Sequence, residues 1–326
     1  MSRLAVLAAL FAAFILCAFG IAAFASWTLR GVEARHPPTG SFVEVDGVRL
    51  HYVDRPADAP EPGAPPIVLI HGAAGSSADI MLALGTRLGA RHRVIAFDRP
   101  GLGWSGRPDT RDAAVPLYQA NMLRAALSQI GVTRAIVVGH SLGGTVALAF
   151  AFAHGEATEG LVVLAPVSHP WFGGVQWYYH LATNPILGPV FNRVVAAPLG
   201  LALIDRAIPS AFAPKAPPAD YRTRAAASLI LAPSRWRANA EDMVTLYSAV
   251  VWQQSQYPAI SAPTVILAGT ADTTVSADLH ARSLARQIEG AELVLLPGVG
   301  HMLHHAAPDA VAEAVERVAA RAVSQD

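Results

Sequence analysis

The stretch that decides the fold is Gly139-His140-Ser141-Leu142-Gly143-Gly144, a tight turn between two apolar segments. The short run 135–138 before it predicts a buried strand, and the segment 142–154 after it predicts a helix. A serine that projects from such a turn needs neighbours without bulky side chains, and the glycines on either side meet that need. The N-terminus of the helix also directs free N–H groups towards developing negative charge. A G-x-S-x-G turn at a strand–helix junction therefore predicts a nucleophile at Ser141. The alternative is an ordinary turn that packs a helix on a sheet.

Short apolar runs alternate with helix-length segments on both sides of this turn. Two strands around Asp46-Gly47, Ser41–Val45 and 48–53, predict a hairpin at the start. The further runs are Ile67–Ile70, Val94–Phe97, 161–164, 265–268 and 293–296, and the segments predicted to be helical are Ser77–Leu88, 117–130, 142–154, 277–288 and 308–322. Wholly apolar strands between helices are typical of a parallel sheet that is buried on both faces. The expected fold class is therefore α/β, with a mostly parallel central sheet and helices on both faces.

One long segment interrupts the alternation. Residues 168–257 contain no strand-like run and are rich in proline and in aromatic residues, among them Trp171, Phe172, Trp177, Tyr178, Tyr179, Trp236, Tyr247, Trp252 and Tyr257. We interpret this segment as a mostly helical lid inserted into a core formed by residues 41–167 and 258–326. An apolar substrate would suit so many aromatic residues, although such residues more often build a small core.

A serine hydroxyl is a weak nucleophile that needs a base, and the base needs a carboxylate to orient it. Asp272 follows the run 265–268, and His301 follows the run 293–296, so each lies at the carboxyl end of a predicted strand, where open α/β sheets bind ligands. Alone, the aspartate would be interpreted as a helix cap and the histidine as a solvated loop residue. The order Ser, Asp, His at equivalent strand ends predicts a catalytic triad.

A tetrahedral intermediate also needs hydrogen-bond donors for its oxyanion. His71-Gly72-Ala73-Ala74-Gly75 comes directly after the run Ile67–Ile70. The backbone N–H groups of Ala73 and Leu142 are the candidate oxyanion-hole donors.

Together the motifs H-G-A-A-G (71–75), D-R-P-G-L-G-W-S (98–105), G-H-S-L-G-G (139–144), G-T-A-D (269–272) and G-V-G-H (298–301) closely resemble those of the α/β-hydrolase superfamily. The resemblance extends over 41–323 and is greatest to the branch of esterases, lipases and C–C bond hydrolases. It implies an α/β-hydrolase fold, and it implies that Asp98 belongs to a structural turn. Family members with an aspartate nucleophile, the epoxide hydrolases and haloalkane dehalogenases, are disfavoured because Ser141 occupies that position.

No cofactor or metal is expected. His301, His304 and His305 form the one histidine cluster near the motifs, and the sequence shows no neighbouring carboxylate pattern for a metal site. The net charge is zero and basic residues are not clustered, which excludes a nucleic-acid-binding surface. The single cysteine, Cys17, excludes an intramolecular disulfide.

The N-terminus predicts a membrane segment. Residues 4–27 carry no charge, and as a helix with about 1.5 Å of rise per residue they would span roughly 36 Å, against a hydrocarbon core of about 30 Å. We expect residues 1–30 to be a single-pass anchor in a bacterial inner membrane, joined by a linker at 31–40. The alternative is a signal peptide cleaved after Ala23-Phe24-Ala25, which would release the protein, although the apolar run exceeds the usual length. Two positions of the lid remain open: it lies against the membrane with Arg235 and Arg237 extended towards the headgroups, or, as we slightly favour, it only covers the pocket while the anchor only sets the location.

Three functions remain open from the sequence. The first is a serine hydrolase for an ester or thioester with an apolar part, and the second is a C–C bond hydrolase with the same triad. The third is a catalytically inactive binding protein, because a fold alone does not define a function. The exact substrate, the oligomeric state and the side of the membrane are not specified by the sequence.

Overall fold

The computed structural model describes residues 2–323, and an eight-stranded sheet forms its centre. The strands are β1 Ser41–Val45, β2 Val48–Arg55, β3 Ile67–Ile70, β4 Val94–Phe97, β5 Ala135–His140, β6 Thr158–Leu164, β7 Thr264–Gly269 and β8 Glu292–Leu296. Their order across the sheet is β1-β2-β4-β3-β5-β6-β7-β8. The β1–β2 and β2–β4 pairs are antiparallel and all other pairs are parallel, which confirms the predicted α/β fold class.

The helices are α1 Arg3–Arg35, α2 Ser77–Leu88, α3 Pro116–Gln129, α4 Leu142–Ala153, α5 Trp177–Thr183, α6 Gly188–Phe191, α7 Ala197–Phe212, α8 Tyr221–Arg224, α9 Pro233–Gln253, α10 Ala281–Gln287, α11 Leu303–Ala306 and α12 Pro308–Val323. Of these, α3 and α4 cover one face of the sheet, and α2 and α12 cover the other. The helix expected at 277–288 is shorter than predicted, because residues 277–280 form a turn before α10.

The core consists of two layers because successive strand residues point to opposite faces. Ile70, Val137 and Ile266 belong to the layer that also contains buried residues of α3 and α4. Leu69, Val138 and Leu267 belong to the other layer, under α2 and α12. Strands β3 to β7 are therefore buried on both sides, which explains why their central residues are apolar in sequence.

The lid segment between β6 and β7 is helical, as predicted, and consists of α5 to α9 with short 3-10 and π-helical turns. Its longest helix, α9, packs against α4 and against the turn Arg111–Ala114 of the core. The lid therefore covers the edge of the sheet at which the motif loops lie.

The N-terminal helix differs from the sequence expectation at its end. It continues without a break to Arg35, so that only 36–40 connect it to β1. Ala25, Leu29 and Val32 are buried because this end of α1 packs on the lid. Glu33 forms an ion pair with Arg235 of α9, at 2.5 Å between Oε1 and Nη1. The first half of the expected linker is thus the docked end of the helix, and hydrophobic packing fixes it to the domain.

Candidate active site

Ser141 lies in a strained turn between β5 and α4. Its backbone has φ 54° and ψ −120°, a conformation with positive φ that residues other than glycine rarely adopt. A Cβ atom at Gly139 would overlap the carbonyl oxygen of Gly143, and a Cβ at Gly143 would overlap the carbonyl oxygens of Ile70 and His71. The glycines are therefore required, and the turn holds Ser141 at the carboxyl edge of the sheet, where only 7% of the residue is exposed.

His301 and Asp272 are paired beside this turn. The Nδ1 atom of His301 lies 2.8 Å from Oδ2 of Asp272. The other carboxylate oxygen accepts hydrogen bonds from the N–H groups of Thr274 and Val275, at 2.8 and 2.9 Å. The Asp272 side chain is 1% exposed. Because a carboxylate only accepts, His301 carries its proton on Nδ1, and its Nε2 is left free to accept one.

His140, the residue before the serine, joins the histidine loop to the turn. Its Nε2 donates to the carbonyl oxygen of His301 at 3.0 Å, and the centroids of the two rings are 4.8 Å apart. Burial first, and then the neighbouring His304 and His301, hold the pKa of His140 well below its usual range, so the ring is neutral. His140 thus links the loop of His301, and with it the paired Asp272, to the turn of Ser141, and the catalytic triad of these three residues stays a prediction. The role of His140 was not predicted.

The loop 71–75 lies against the same turn. A Cβ at Gly72 would be 3.2 Å from Cβ of Ser141, so only a glycine allows so close an approach. Within residues 2–323, the N–H groups of Ala73 and Leu142 have no hydrogen-bond partner. Both predicted oxyanion-hole donors are thus free beside the serine.

Arg99, which is fully buried, binds two backbone carbonyls of the loop 71–75. Its Nε donates to the carbonyl of His71 at 3.1 Å and its Nη2 to the carbonyl of Gly72 at 3.2 Å. Because a trans peptide is planar, fixing the Gly72 carbonyl also fixes the direction of the Ala73 N–H. Burial lowers the pKa of Arg99, while Asp242, 2.6 Å away, opposes that effect and keeps the charge paired. Arg99 therefore orients a candidate oxyanion donor.

The lid helix α9 supplies two further supports for the loop. Asp242 binds Arg99, and Oδ1 of Asn239 accepts the N–H of Ala74 at 2.7 Å. Ala74 has a φ of 55°, so the hydrogen bond stabilises a strained residue. Burial and the nearby Arg99 lower the pKa of His71 to about 4, which keeps the first residue of the loop neutral. Neither Asn239 nor Asp242 gives a signal in the sequence, because both lie in a lid that resembles no motif.

Asp98 is a structural residue, as the sequence implied. Its carboxylate accepts from Nδ1 of His51 at 2.8 Å and from the N–H groups of Ser77 and Trp104 at 2.6 and 2.8 Å. Burial would raise the pKa of Asp98, but the hydrogen bond from His51 and the charges nearby outweigh that effect. The side chain ties β2, β4 and the start of α2 together.

The histidine cluster does have a carboxylate neighbour, contrary to the sequence expectation. Asp79 of α2 lies 2.8 Å from Nε2 of His305 and 3.5 Å from Nε2 of His304. The potential ligand atoms of Asp79, His304 and His305 lie within 4.8 Å of one another, which is the spacing of a possible metal site. Oδ1 of Asp79 already accepts hydrogen bonds from His305 and from the hydroxyl of Tyr221. Burial would raise the pKa of Asp79, but the two imidazoles outweigh it and hold that pKa well below its usual range.

Four features define the class of protein. They are the mostly parallel sheet, the strained turn at Ser141, the paired His301 and Asp272, and the helical lid. The chain belongs to the alpha/beta hydrolase family, whose model matches residues 67–314. An uncharacterized protein of Mycobacterium tuberculosis is 28% identical over 315 residues, which are 89% of this chain and 83% of that protein.

Solved structures show the same fold. An alpha/beta hydrolase fold protein from Burkholderia ambifaria has a TM-score of 0.68 and 25% identity, with 84% of this chain and 96% of that chain covered. A membrane phospholipase A, described as a bacterial virulence factor, has a TM-score of 0.65 and 20% identity, with 98% of this chain and 97% of that chain covered.

Proposed function

We propose that the protein is a serine hydrolase that cleaves carboxylic esters or thioesters with an apolar part. The observation that carries the proposal is the Asp272–His301 hydrogen bond beside the strained turn of Ser141. An aspartate that orients a histidine next to a serine in such a turn is the arrangement that activates a hydroxyl for acyl transfer.

The proposed reaction has two steps through one acyl-enzyme. The hydroxyl oxygen of Ser141 attacks the ester carbonyl while Nε2 of His301 takes the hydroxyl proton. The C–O bond to the alcohol then breaks, and His301 returns the proton to the leaving oxygen. Water attacks the acyl-enzyme with the same histidine as base, which releases the acid and restores Ser141. In both steps the N–H groups of Ala73 and Leu142 stabilise the negative oxygen.

Covalent labelling tests this proposal. A fluorophosphonate probe is expected to label the purified full-length protein at Ser141, and hydrolysis of p-nitrophenyl esters is expected to favour the longer acyl chains. Mass spectrometry of the labelled peptide and initial rates across the ester series are the measurements. A protein that takes up no probe and cleaves no ester would instead be a binding protein on this fold.

We also propose that α1 is a retained membrane anchor. Its apolar window has a mean hydropathy of 2.8 and none of it is buried within the protein. The alternative cleavage site ends at Ala25, which is 1% exposed, lies inside a continuous helix and packs on the lid. Cleavage there would remove a residue that belongs to the packing between α1 and the lid, which favours an uncleaved helix. Arg235 binds Glu33 of α1, and Arg237 binds Glu241 of its own helix.

The orienting role of Arg99 gives a separate prediction. Arg99→Lys is expected to lower kcat about a hundredfold with little change in KM, because lysine cannot hold both carbonyls and the Ala73 donor loses its alignment. Steady-state kinetics on a soluble ester measure the change, and thermal unfolding reports the fold.

Arg93→Lys is the matched control. Arg93 also binds a carboxylate with two hydrogen bonds, to Asp54 at 3.0 and 2.6 Å, but it does so at the surface. The Arg93→Lys substitution is expected to leave kcat unchanged. A rise in KM with an unchanged kcat in Arg99→Lys would contradict the orienting role.

A further inference from the structure

The lid contains a second long apolar helical segment. Gly188–Phe212 comprises α6, a π-helical turn and α7, and has a mean hydropathy of 1.4 over its most apolar window. Only 11% of that window is buried. Because water-soluble surfaces rarely leave so much apolar helix uncovered, the segment needs a partner.

The two faces of α7 have different surroundings. One face carries Ala197, Leu201, Ile204 and Ile208, which pack with Ala25 and Leu29 of the anchor and with Leu231. Other residues of the segment and of the loop before it are exposed, namely Ile186, Leu187, Val190, Val195, Leu199, Ala202 and Leu203. Of these, Val195, Leu199, Ala202 and Leu203 recur at helical spacing and therefore form one apolar stripe along the helix. The helix is therefore covered on one side by the anchor and uncovered on another.

The position of the anchor next to α7 indicates what covers the exposed stripe. The docked end of α1 contacts α7 directly, so the segment lies where the anchor leaves the protein. Phe24 and Trp27, both largely exposed, mark that level of the anchor with a pair of aromatic rings 6.1 Å apart, as is usual at a membrane interface. A helix bound to a membrane anchor is held at the bilayer surface.

The charges of the segment agree with an interfacial position. Gly188–Phe212 contains three charged residues, and one of them, Asp205, is paired with Arg222. Arg193 and Arg206 are exposed, and they precede and follow the apolar stripe in the chain. Long cationic side chains beside an apolar stripe are typical of helices that lie in the headgroup region.

The far end of α7 reaches the candidate active site. Phe212 is buried against Met302, and its ring lies 5.3 Å from that of His305. Both of these residues follow His301 directly in the chain, Met302 just before α11 and His305 within it. One helix thus extends from the uncovered apolar stripe to the loop of the proposed catalytic base.

We propose that the stripe Val195, Leu199, Ala202 and Leu203, with the loop 184–187 and Val190 of α6, inserts into the bilayer interface beside the anchor and admits membrane-dissolved esters to the site. The part that concerns substrate rests on the proposed hydrolase function. The part that concerns membrane contact does not.

Spin labels measure the membrane contact directly. In full-length protein with Cys17→Ser, reconstituted in phosphatidylcholine–phosphatidylglycerol nanodiscs, a label is placed by Ala202→Cys on α7 or by Ala320→Cys on α12. Both alanines are exposed on helices, but α12 packs on the core and not on the lid. The label at 202 is expected to be accessible to oxygen and shielded from a water-soluble nickel chelate, and the label at 320 is expected to show the reverse.

Two results would overturn the proposal. Equal access of the nickel chelate to both labels would place the stripe in water. Shielding of the label at 202 from both reagents, with dipolar broadening between labels, would show that a second copy of the chain covers it. Neither result depends on hydrolysis, so a failure of membrane contact and a failure of the proposed function are distinguishable.

The substrate part has its own test. Leu199→Asp is expected to lower hydrolysis of long-chain esters in vesicles about tenfold or more, because a carboxylate is unfavourable in the bilayer, and to leave a soluble ester unaffected. Leu279→Asp, at an exposed leucine outside the lid, is the control and is expected to change neither rate. Equal vesicle rates for the two variants would contradict delivery through the stripe, and loss of soluble-ester activity in Leu199→Asp would show a folding defect that its unfolding temperature would confirm.

Discussion

Ser141→Ala is expected to lower the kcat of ester hydrolysis by about a millionfold, to the level of the uncatalysed reaction plus binding effects. The hydroxyl is the proposed nucleophile, and none of the neighbouring groups described above can form the acyl-enzyme in its place. Alanine has the same Cβ as serine, so the strained φ of 54° and its fit between Gly139 and Gly143 are retained. The unfolding temperature is therefore expected to change little.

His301→Ala provides the companion measurement. Members of a catalytic triad act as a unit, so its loss should be nearly as severe, and the double variant should be no worse than Ser141→Ala alone. Single-turnover kinetics with a p-nitrophenyl ester detect any burst of acyl-enzyme. Substantial turnover with a burst in either variant would mean that another residue is the nucleophile or the base.

Asp272→Asn is expected to lower kcat by about ten-thousandfold. The amide can donate to Nδ1 of His301, which would place the histidine proton on Nε2, where it blocks acceptance from the serine. The N–H groups of Thr274 and Val275 still find the amide oxygen, so the loop is expected to keep its conformation. The pH profile of kcat/KM, together with kcat itself, is the measurement.

Asp98→Asn separates this role from that of an ordinary buried carboxylate. Asp98 also accepts two backbone N–H groups and a histidine Nδ1, so the two substitutions remove similar hydrogen bonds. The Asp98 variant is expected to lose stability and to retain most of its kcat. A larger loss of kcat in Asp98→Asn than in Asp272→Asn would reverse the assignment of the acid.

The sequence predicted the central strands closely because their composition follows from one physical constraint. Ile67–Ile70 and Val94–Phe97 are buried on both faces, and such strands must be apolar at every position. Ser141 was predictable for a similar reason, since the glycines beside it leave no space for a Cβ atom. Asp272 and His301 followed from the order of the strands.

The supports of the site were not predictable because they join segments that are distant in the chain. Asn239 binds Ala74 across 165 residues, and Asp242 binds Arg99 across 143. Asp79 and His305, which correct the expectation of no nearby carboxylate, are 226 residues apart. A sequence pattern indicates local secondary structure, but it does not indicate which residue of the lid contacts which loop of the core.

The end of the N-terminal helix was mispredicted for a related reason. Gly31 and the prolines after His36 suggested a linker, but Val32 and Glu33 have partners in the lid that stabilise a further helical turn. Those partners are not visible from the local sequence, which contains a helix-weakening glycine.

The pairing of Glu33 with Arg235 also orders events during biosynthesis. The two residues are 202 apart, so at ~5–20 residues per second roughly ten to forty seconds separate their emergence from the ribosome. For most of that interval Ala25 and Leu29 have none of their lid partners, because Ala197, Ile204 and Leu231 are synthesised late in it. The first helix to be made is therefore among the last to complete its packing, because the lid must be synthesised before the docked end of the helix is covered.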